Sequence, residues 1–311
     1  MSLLLAFSGF HLVQTSPNLP GIYLDIETDF FTEAVWHLNI AVKAVTALLM
    51  LVTPQNSPAM YTSAIFIFLS SLAKGPQPGE YLGFRDDGAP GHSALFLGVR
   101  SIFGLCQSDL PVAILAIHGE NKQQEDTTEQ HHPQPPQPDP STPLTNITQT
   151  PTPFIPSTAE QCDAHFAAFR NLLHSTGILI SPSSTTTTTT TTTTPTPDPI
   201  RSSSYDQALT QLHYSLFAAL SDSPPMSLFP LVFAWLYQLP DAVVHDLQRQ
   251  EPAALILFAF FTVLLNQLRA VWFIRPWPGH ILRGICRNLD GKYRAYVQWA
   301  VDLVGVGGEG G

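Results

Sequence analysis

The sequence predicts an all-α fold, a helical bundle of about ten helices interrupted by two disordered low-complexity inserts. Three observations predict it. Apolar residues recur at spacings of three and four along most of the chain, the signature of one buried helix face. Alternation of apolar and polar residues, the mark of a half-buried strand, is nowhere sustained. Two stretches, 119–158 and 181–203, carry too few large apolar side chains to offset the entropy of ordering.

In chain order, Ser2 to Gln14 carries a helical apolar face. Asp25 to Val52 repeats Phe31, Ala34, Val35, Leu38, Val42, Val45, Leu48 and Leu49, which predicts one long amphipathic helix broken at most once. Ser57-Pro58 reads as an N-cap followed by proline at the first helical position of a helix to Ala73. Lys74 to Gly91 is rich in Gly and Pro and predicts an ordered loop, and Ser93 to Leu105 the next helix. These elements form the N-terminal half of a helical domain, 1–118. The insert at 119–158 is rich in Pro, Gln, Thr and acids. A helix at Ala159 to His174 marks the segment 159–180. The second insert, 181–203, contains ten consecutive threonines, Thr185 to Thr194, and three prolines after them. The C-terminal half, 204–304, comprises Ser204 to Leu220, Leu228 to Leu239, Ala242 to Arg249, Pro252 to Phe273, Pro278 to Leu289 and Lys292 to Val304. Leu255 to Leu265 is apolar on every side, so that helix is expected at the centre of the bundle. Residues 305–311 read as a flexible glycine tail.

Charge narrows the function. Of 311 residues only 12% are charged, against about 25% in an average domain, and the net charge is −10. A duplex-DNA binder needs surplus cations to displace counterions, so direct DNA binding by this chain is not expected. The two most apolar runs, Ile40 to Val52 and Ala253 to Leu265, are 13 residues each. A bilayer takes about 20, and no membrane span is expected. Met1 to Val13 lacks the basic region of a signal peptide. A start already inside an apolar helix pattern implies that an upstream part of an ancestral chain is missing.

Catalytic constellations are sparse. Tyr23-Leu24-Asp25-Ile26-Glu27-Thr28 resembles the first motif of the DEDD 3′–5′ exonucleases, in which alternate strand residues present two carboxylates to paired metals. Tyr237 and Asp241 mimic the spacing of the third motif. That chemistry needs a sheet, and the pattern here is helical; Asp25 and Glu27 equally suit the first turn of a helix, at its positive end. The histidines show no metal-ligand spacing, Cys106, Cys162 and Cys286 are isolated, and there is no nucleophile elbow or phosphate loop. No cofactor or metal is expected in this chain. Trp235, Trp272, Trp277 and Trp299 cluster near the C-terminus with Arg269, Arg275 and Arg283. They predict either aromatic core with cation–π contacts or the lining of an apolar pocket. The residues singled out for that pocket or core are Leu255, Phe258, Phe261, Leu265, Trp272 and Trp277.

Several segments also carry a likeness. Leu3-Leu4-Leu5-Ala6-Phe7-Ser8-Gly9-Phe10-His11-Leu12, the stretch Tyr23 to Leu38 and Leu97-Gly98-Val99-Arg100-Ser101-Ile102 match in the N-terminal half. Phe233-Ala234-Trp235 before a Leu-Pro, Glu251-Pro252-Ala253-Ala254-Leu255, Trp272-Phe273-Ile274-Arg275-Pro276-Trp277, Leu282 and Trp299 match in the C-terminal half. In this order they resemble the regulatory region of fungal binuclear zinc-cluster transcription factors, especially the branch of the sterol-uptake regulators. The likeness covers about residues 1–118 and 204–304, and its motifs are structural. It departs at Pro276, where the family has a small residue, and in lacking the six-cysteine zinc module that reads DNA. A truncated chain, an incomplete gene model and a genuine cluster-less relative are equally consistent with that. The resemblance implies a non-enzymatic regulator of RNA polymerase II genes in a fungal nucleus. Its zinc would belong to the missing module. Its partners would be the transcription machinery or a DNA-binding partner, and a small apolar ligand. A homodimer is a separate expectation for the chain. The reading kept as an alternative is a helical metal-dependent hydrolase or nuclease using Asp25 and Glu27.

Overall fold

Thirteen consecutive residues, Ala253 to Leu265, place apolar or hydroxyl side chains on all sides of one helix, and every one of them is buried. A helix with no polar face is stable only when enclosed, and the rest of the chain is wrapped around it. The computed structural model describes residues 1–15, 24–106, 158–179, 198–220 and 228–305, with the side chains of 24–28, 106 and 158–160 outside the description. The eleven α-helices among the described residues are α1 (Ser2–Thr15), α2 (Leu24–Leu48), α3 (Ser57–Ala73), α4 (Ser93–Cys106), α5 (Thr158–Ser175), α6 (Pro199–Leu220), α7 (Leu228–Tyr237), α8 (Asp241–Gln248), α9 (Pro252–Asn266), α10 (Trp277–Asn288) and α11 (Arg294–Val304). Single 3₁₀ turns at Leu49–Leu51 and Gly291–Tyr293 extend α2 and precede α11. No strand occurs among the described residues; one isolated antiparallel bridge joins Glu80 to Arg85. The fold is all-α, as the periodicity predicts.

The central helix α9 lies against α6, α8, α10 and α11. Its aromatic rings reach further. Phe260 meets Phe166 and Phe169 of α5 at 5.0 and 5.6 Å, and Phe261 stacks on Trp235 of α7 at 4.7 Å. The N-terminal helices form a second layer in which α1 packs on α2 and α3, and α3 on α4. Phe68 of α3 joins the layers, meeting Phe233 and Tyr237 of α7, each at 5.9 Å. Arg100 of α4 donates to the Leu239 carbonyl at 2.7 Å and pairs with Asp241 at the start of α8.

Loop 74–92 is ordered, as expected, and packs between the layers. Tyr81 is buried, stacking on Phe84 at 4.8 Å and on His280 of α10 at 5.1 Å. Its ring needs a glycine beside it. A Cβ on Gly284 of α10 would lie 2.3 Å from the Tyr81 ring. The Trp277 indole N–H donates to the Leu72 carbonyl at 3.0 Å, tying the start of α10 to the end of α3.

Three boundaries differ from the sequence expectation. Ser57 does not cap α3: Asn56 is the cap residue, and the Ser57 hydroxyl donates back to the Pro54 carbonyl at 3.3 Å. The run from Pro252 does not continue to Phe273. It leaves the helix at Asn266 in successive three-residue turns, which fold Phe273 and Ile274 back into the core. Residues 119–157 and 181–197 of the two inserts, and 306–311 of the glycine tail, lie outside the described residues. The second insert is shorter than the sequence predicts. Helix α6 begins at Pro199, inside it, because the side chain of Asp198 accepts the Ile200 N–H at 3.0 Å and Arg201 reaches α8. There the Arg201 Nε donates to Asp246 at 2.7 Å, and the buried Tyr205 hydroxyl donates to the same carboxylate oxygen at 2.9 Å. Asp246→Ala leaves that hydroxyl buried without an acceptor, so a loss of about 2 kcal/mol is expected. Chemical denaturation checks it, and Asp246→Asn should recover part of the loss.

Candidate functional site

The six residues singled out in the C-terminal half do not converge on one cavity. Leu255, Phe258, Phe261 and Leu265 of α9, and Trp277 at the start of α10, are at most 1% exposed. Phe258 and Phe261 stack at 5.2 Å, and Phe84 closes over Phe258 at 6.5 Å. These five are solid core. Trp272 is only half-buried and points the other way, against Phe7 at 5.3 Å and His11 at 4.8 Å of α1. With Gln14, Thr15, Pro76, Arg275 and Pro276 it lines an open groove of about 350 Å³. The expected cation–π contacts of Arg269, Arg275 and Arg283 do not occur among the described residues. Those formed are Arg201 over Tyr205 at 5.9 Å and Lys292 over Tyr293 at 4.8 Å.

The apolar cleft lies elsewhere. It opens between the first turn of α1, the C-terminal half of α2 and the start of α3, with a volume of about 310 Å³. Leu3, Ile40, Ala44, Leu48, Ala59 and Met60 form most of its wall. No charged side chain lines it. Its polar rim consists of Ser2, Ser63 and Asn56, and Asn56 is committed locally, accepting the Thr53 N–H at 2.7 Å and donating to the Leu51 carbonyl at 2.9 Å. Its wall includes the small side chains of Ala41, Ala44 and Ala59. In the sequence neither Ala44 nor Ala59 stands out.

The titratable groups serve the scaffold. His92, 6% exposed, donates from Nδ1 to the Glu80 carboxylate at 2.8 Å, and this bond holds the Glu80 carboxyl below its usual range. His280 donates from Nε2 to the Glu80 carbonyl at 2.9 Å, and burial pushes its pKa down. Arg287 donates to the Tyr81 hydroxyl at 2.9 Å, which in turn donates to Asp86 at 3.2 Å. Burial lifts the Cys162 thiol to about 12 and raises Cys286 as well, so neither is a thiolate near neutral pH. Among the described residues no three His, Cys, Asp or Glu side chains are placed to hold a metal ion. Asp25 and Glu27 fall in the first turn of α2, as the helix-start reading expects, with side chains outside the description. Tyr237, the other half of the nuclease-like spacing, is buried, and Asp241 pairs with Arg100.

By length and composition, Asp29–Leu51 could cross a membrane, which the 13-residue run counted from Ile40 did not reveal. It is the least enclosed of the long helices, with Ala34 and Ala41 its buried apolar residues. Comparison with known protein families, with curated proteins and with solved structures finds no match.

Two predictions follow from this geometry. Phe261→Ala should cost about 3–5 kcal/mol, the range for an aromatic ring removed from solid core; urea unfolding measures it, and a loss below about 1 kcal/mol would mean a collapsible or ligand-lined site. The second concerns pH. His280 and His165 both titrate below their ordinary 6.5 because burial opposes their charge. As pH falls through 6.5, the unfolded chain takes up protons that the folded chain refuses, so stability declines. Glu80 contributes above its ordinary 4.5 and loses that contribution as pH falls further toward its lower folded value. The melting temperature should therefore drop from pH 7 to pH 5 and again below 4.5, and His280→Gln should flatten the first drop. An unchanged first slope would assign it to other groups.

Proposed function

We propose that this chain is a non-enzymatic, all-helical regulatory domain of the zinc-cluster transcription-factor kind, acting in the nucleus on RNA polymerase II genes. The observation that carries the reading is the apolar-walled cleft between α1, α2 and α3, set on a solid helical core. Such a cleft takes an apolar effector, and most of its wall belongs to helices whose packing that effector would change. A sterol fits the apolar chemistry, and the family resemblance points the same way. The output would pass to a DNA-binding partner or the transcription machinery. Direct DNA contact by this chain is not part of the reading, since a net charge of −10 repels phosphates. Zinc would be bound by a six-cysteine module, for which the three cysteines of these residues are insufficient. On this reading α2 stays packed on α1 and does not cross a bilayer.

Thermal melting tests the proposal. A sterol presented in cyclodextrin should raise the melting temperature, because a ligand that binds only the folded state stabilises it. Ala44→Trp, which fills the cleft from an exposed position, should melt like the parent and lose the shift. No shift with any sterol or fatty acid would overturn the apolar-effector reading, and sub-micromolar duplex binding at physiological salt would overturn the DNA-free one. The nuclease reading predicts magnesium- or manganese-dependent cleavage of DNA that disappears in Asp25→Ala and Glu27→Ala. Observing that would replace the regulatory reading.

A further inference from the structure

We propose that the chain pairs with a second copy of itself through the exposed face of α2, the two helices antiparallel about a two-fold axis at the level of position 38. Helix α2 turns Ala34 and Ala41 toward α1 and leaves large apolar side chains outside: Trp36 is 55% exposed, Phe30 41% and Ile40 37%. Four residues of that outer face form a symmetric word. Glu33, Trp36, Ile40 and Lys43 are spaced three, four and three apart, which places them within about 80° of arc on an α-helix. Glu33 and Lys43 stand five residues either side of position 38, and Trp36 and Ile40 two residues either side. In an antiparallel two-fold pair, a residue meets the one equally far beyond the axis on the other copy. Glu33 then faces Lys43 of the partner subunit, and Trp36 faces Ile40 of the partner subunit, each contact occurring twice. Among the described residues neither Glu33 nor Lys43 has an ion-pair partner within the chain. An interface built this way has an aromatic–aliphatic centre and a charged rim, the usual anatomy of a specific contact.

A bilayer is the competing occupant, and two observations disfavour it. Crossing would pull α2 from α1, where the backbones meet so closely that a Cβ on Gly9 would lie 2.8 Å from the Cβ of Ala34. Lying on a membrane surface favours basic residues beside the apolar face, and this face offers Lys43 alone against Asp29 and Glu33. The dimer does not rest on the regulatory reading. Its readout is mass, whereas that of the effector is a melting shift, so the two can fail separately.

Sedimentation velocity of the full chain across the micromolar range tests it. The expected result is a monomer–dimer equilibrium. Glu33→Lys and Lys43→Glu should each weaken it about tenfold or more by setting like charges opposite each other, and the double exchange, Glu33→Lys with Lys43→Glu, should restore it. Trp36→Asp should give a monomer with the parent's helical circular dichroism. A monomer at every concentration would overturn the proposal. So would a dimer indifferent to both single exchanges, or one that the double exchange fails to restore. A monomer that floats with phosphatidylcholine vesicles and loses them in Trp36→Asp would also overturn it, in favour of the bilayer.

Discussion

The enclosure of α9 is the constraint on which the rest of the structure depends. Ala253 to Leu265 offers water no face, so it forms a stable helix only with neighbours on every side. Helices α6, α8, α10 and α11 supply most of that wall, and rings from α5, α7 and the 74–92 loop fill the gaps. The wall helices α8, α10 and α11 turn an apolar stripe toward it and polar residues to water, whereas a helix enclosed on both sides needs no polar face. Helix α7, for example, is apolar over almost its whole length, because it sits between α9 and the N-terminal layer. Enclosure also explains the close approach of Gly284 to Tyr81. The loop must enter the space between α10 and the core, and a methyl group on α10 would hold it out.

Several polar groups at the seams of this wall are satisfied with few charges, although the Trp299 indole N–H and the Ser70 hydroxyl are buried without a partner. The indole N–H groups of Trp235 and Trp277 donate to the Ala208 and Leu72 carbonyls, so two large rings are buried without orphaned donors. Asp246 serves Arg201 and Tyr205 with one oxygen and so joins α6 to α8. The His92–Glu80 bond does similar work within the 74–92 loop, just ahead of α4. A chain with only 12% charged residues has few such groups to spend on its surface. The exposed face of α2 reflects that, since it is apolar where most surface helices are not.

Element type was legible in the sequence because it rests on period, and the long helices keep a period of 3.6. Boundaries were less so. The sequence around Pro199–Ser203 reads as a continuation of the Thr/Pro tract, but the Asp198 side chain starts the helix there and the distant Asp246 anchors it. Likewise Phe273 and Ile274 look like further turns of α9, but the core accepts them only after the chain has turned. The core residues Leu255, Phe258, Phe261, Leu265 and Trp277 were legible as a group, since all-round apolarity leaves one interpretation. Trp272 was not separable from them, because proximity in sequence hides the turn that sends the two indoles apart. The cleft was hidden for a different reason. Its wall includes the small side chains of Ala41, Ala44 and Ala59, and alanines do not stand out in a hydrophobic pattern.

The two proposals meet at Ile40. This side chain lines the cleft and also stands beside the two-fold axis of the α2 pair. An effector that shifts the C-terminal half of α2 against α3 therefore alters the surface that faces the second copy, and pairing alters the cleft by the same free energy. The sign depends on which arrangement of α2 each event prefers. If both favour the helix held against α1, the ligand tightens the dimer; if the ligand wedges α2 outward, Trp36 and Ile40 lose their register and the dimer loosens. Either result needs a helix free to choose between two placements. The helix that carries both surfaces is α2: Phe31, Val35, Leu38 and Val45 hold its inner side to the core, while Phe30, Trp36 and Ile40 stay exposed on the outside.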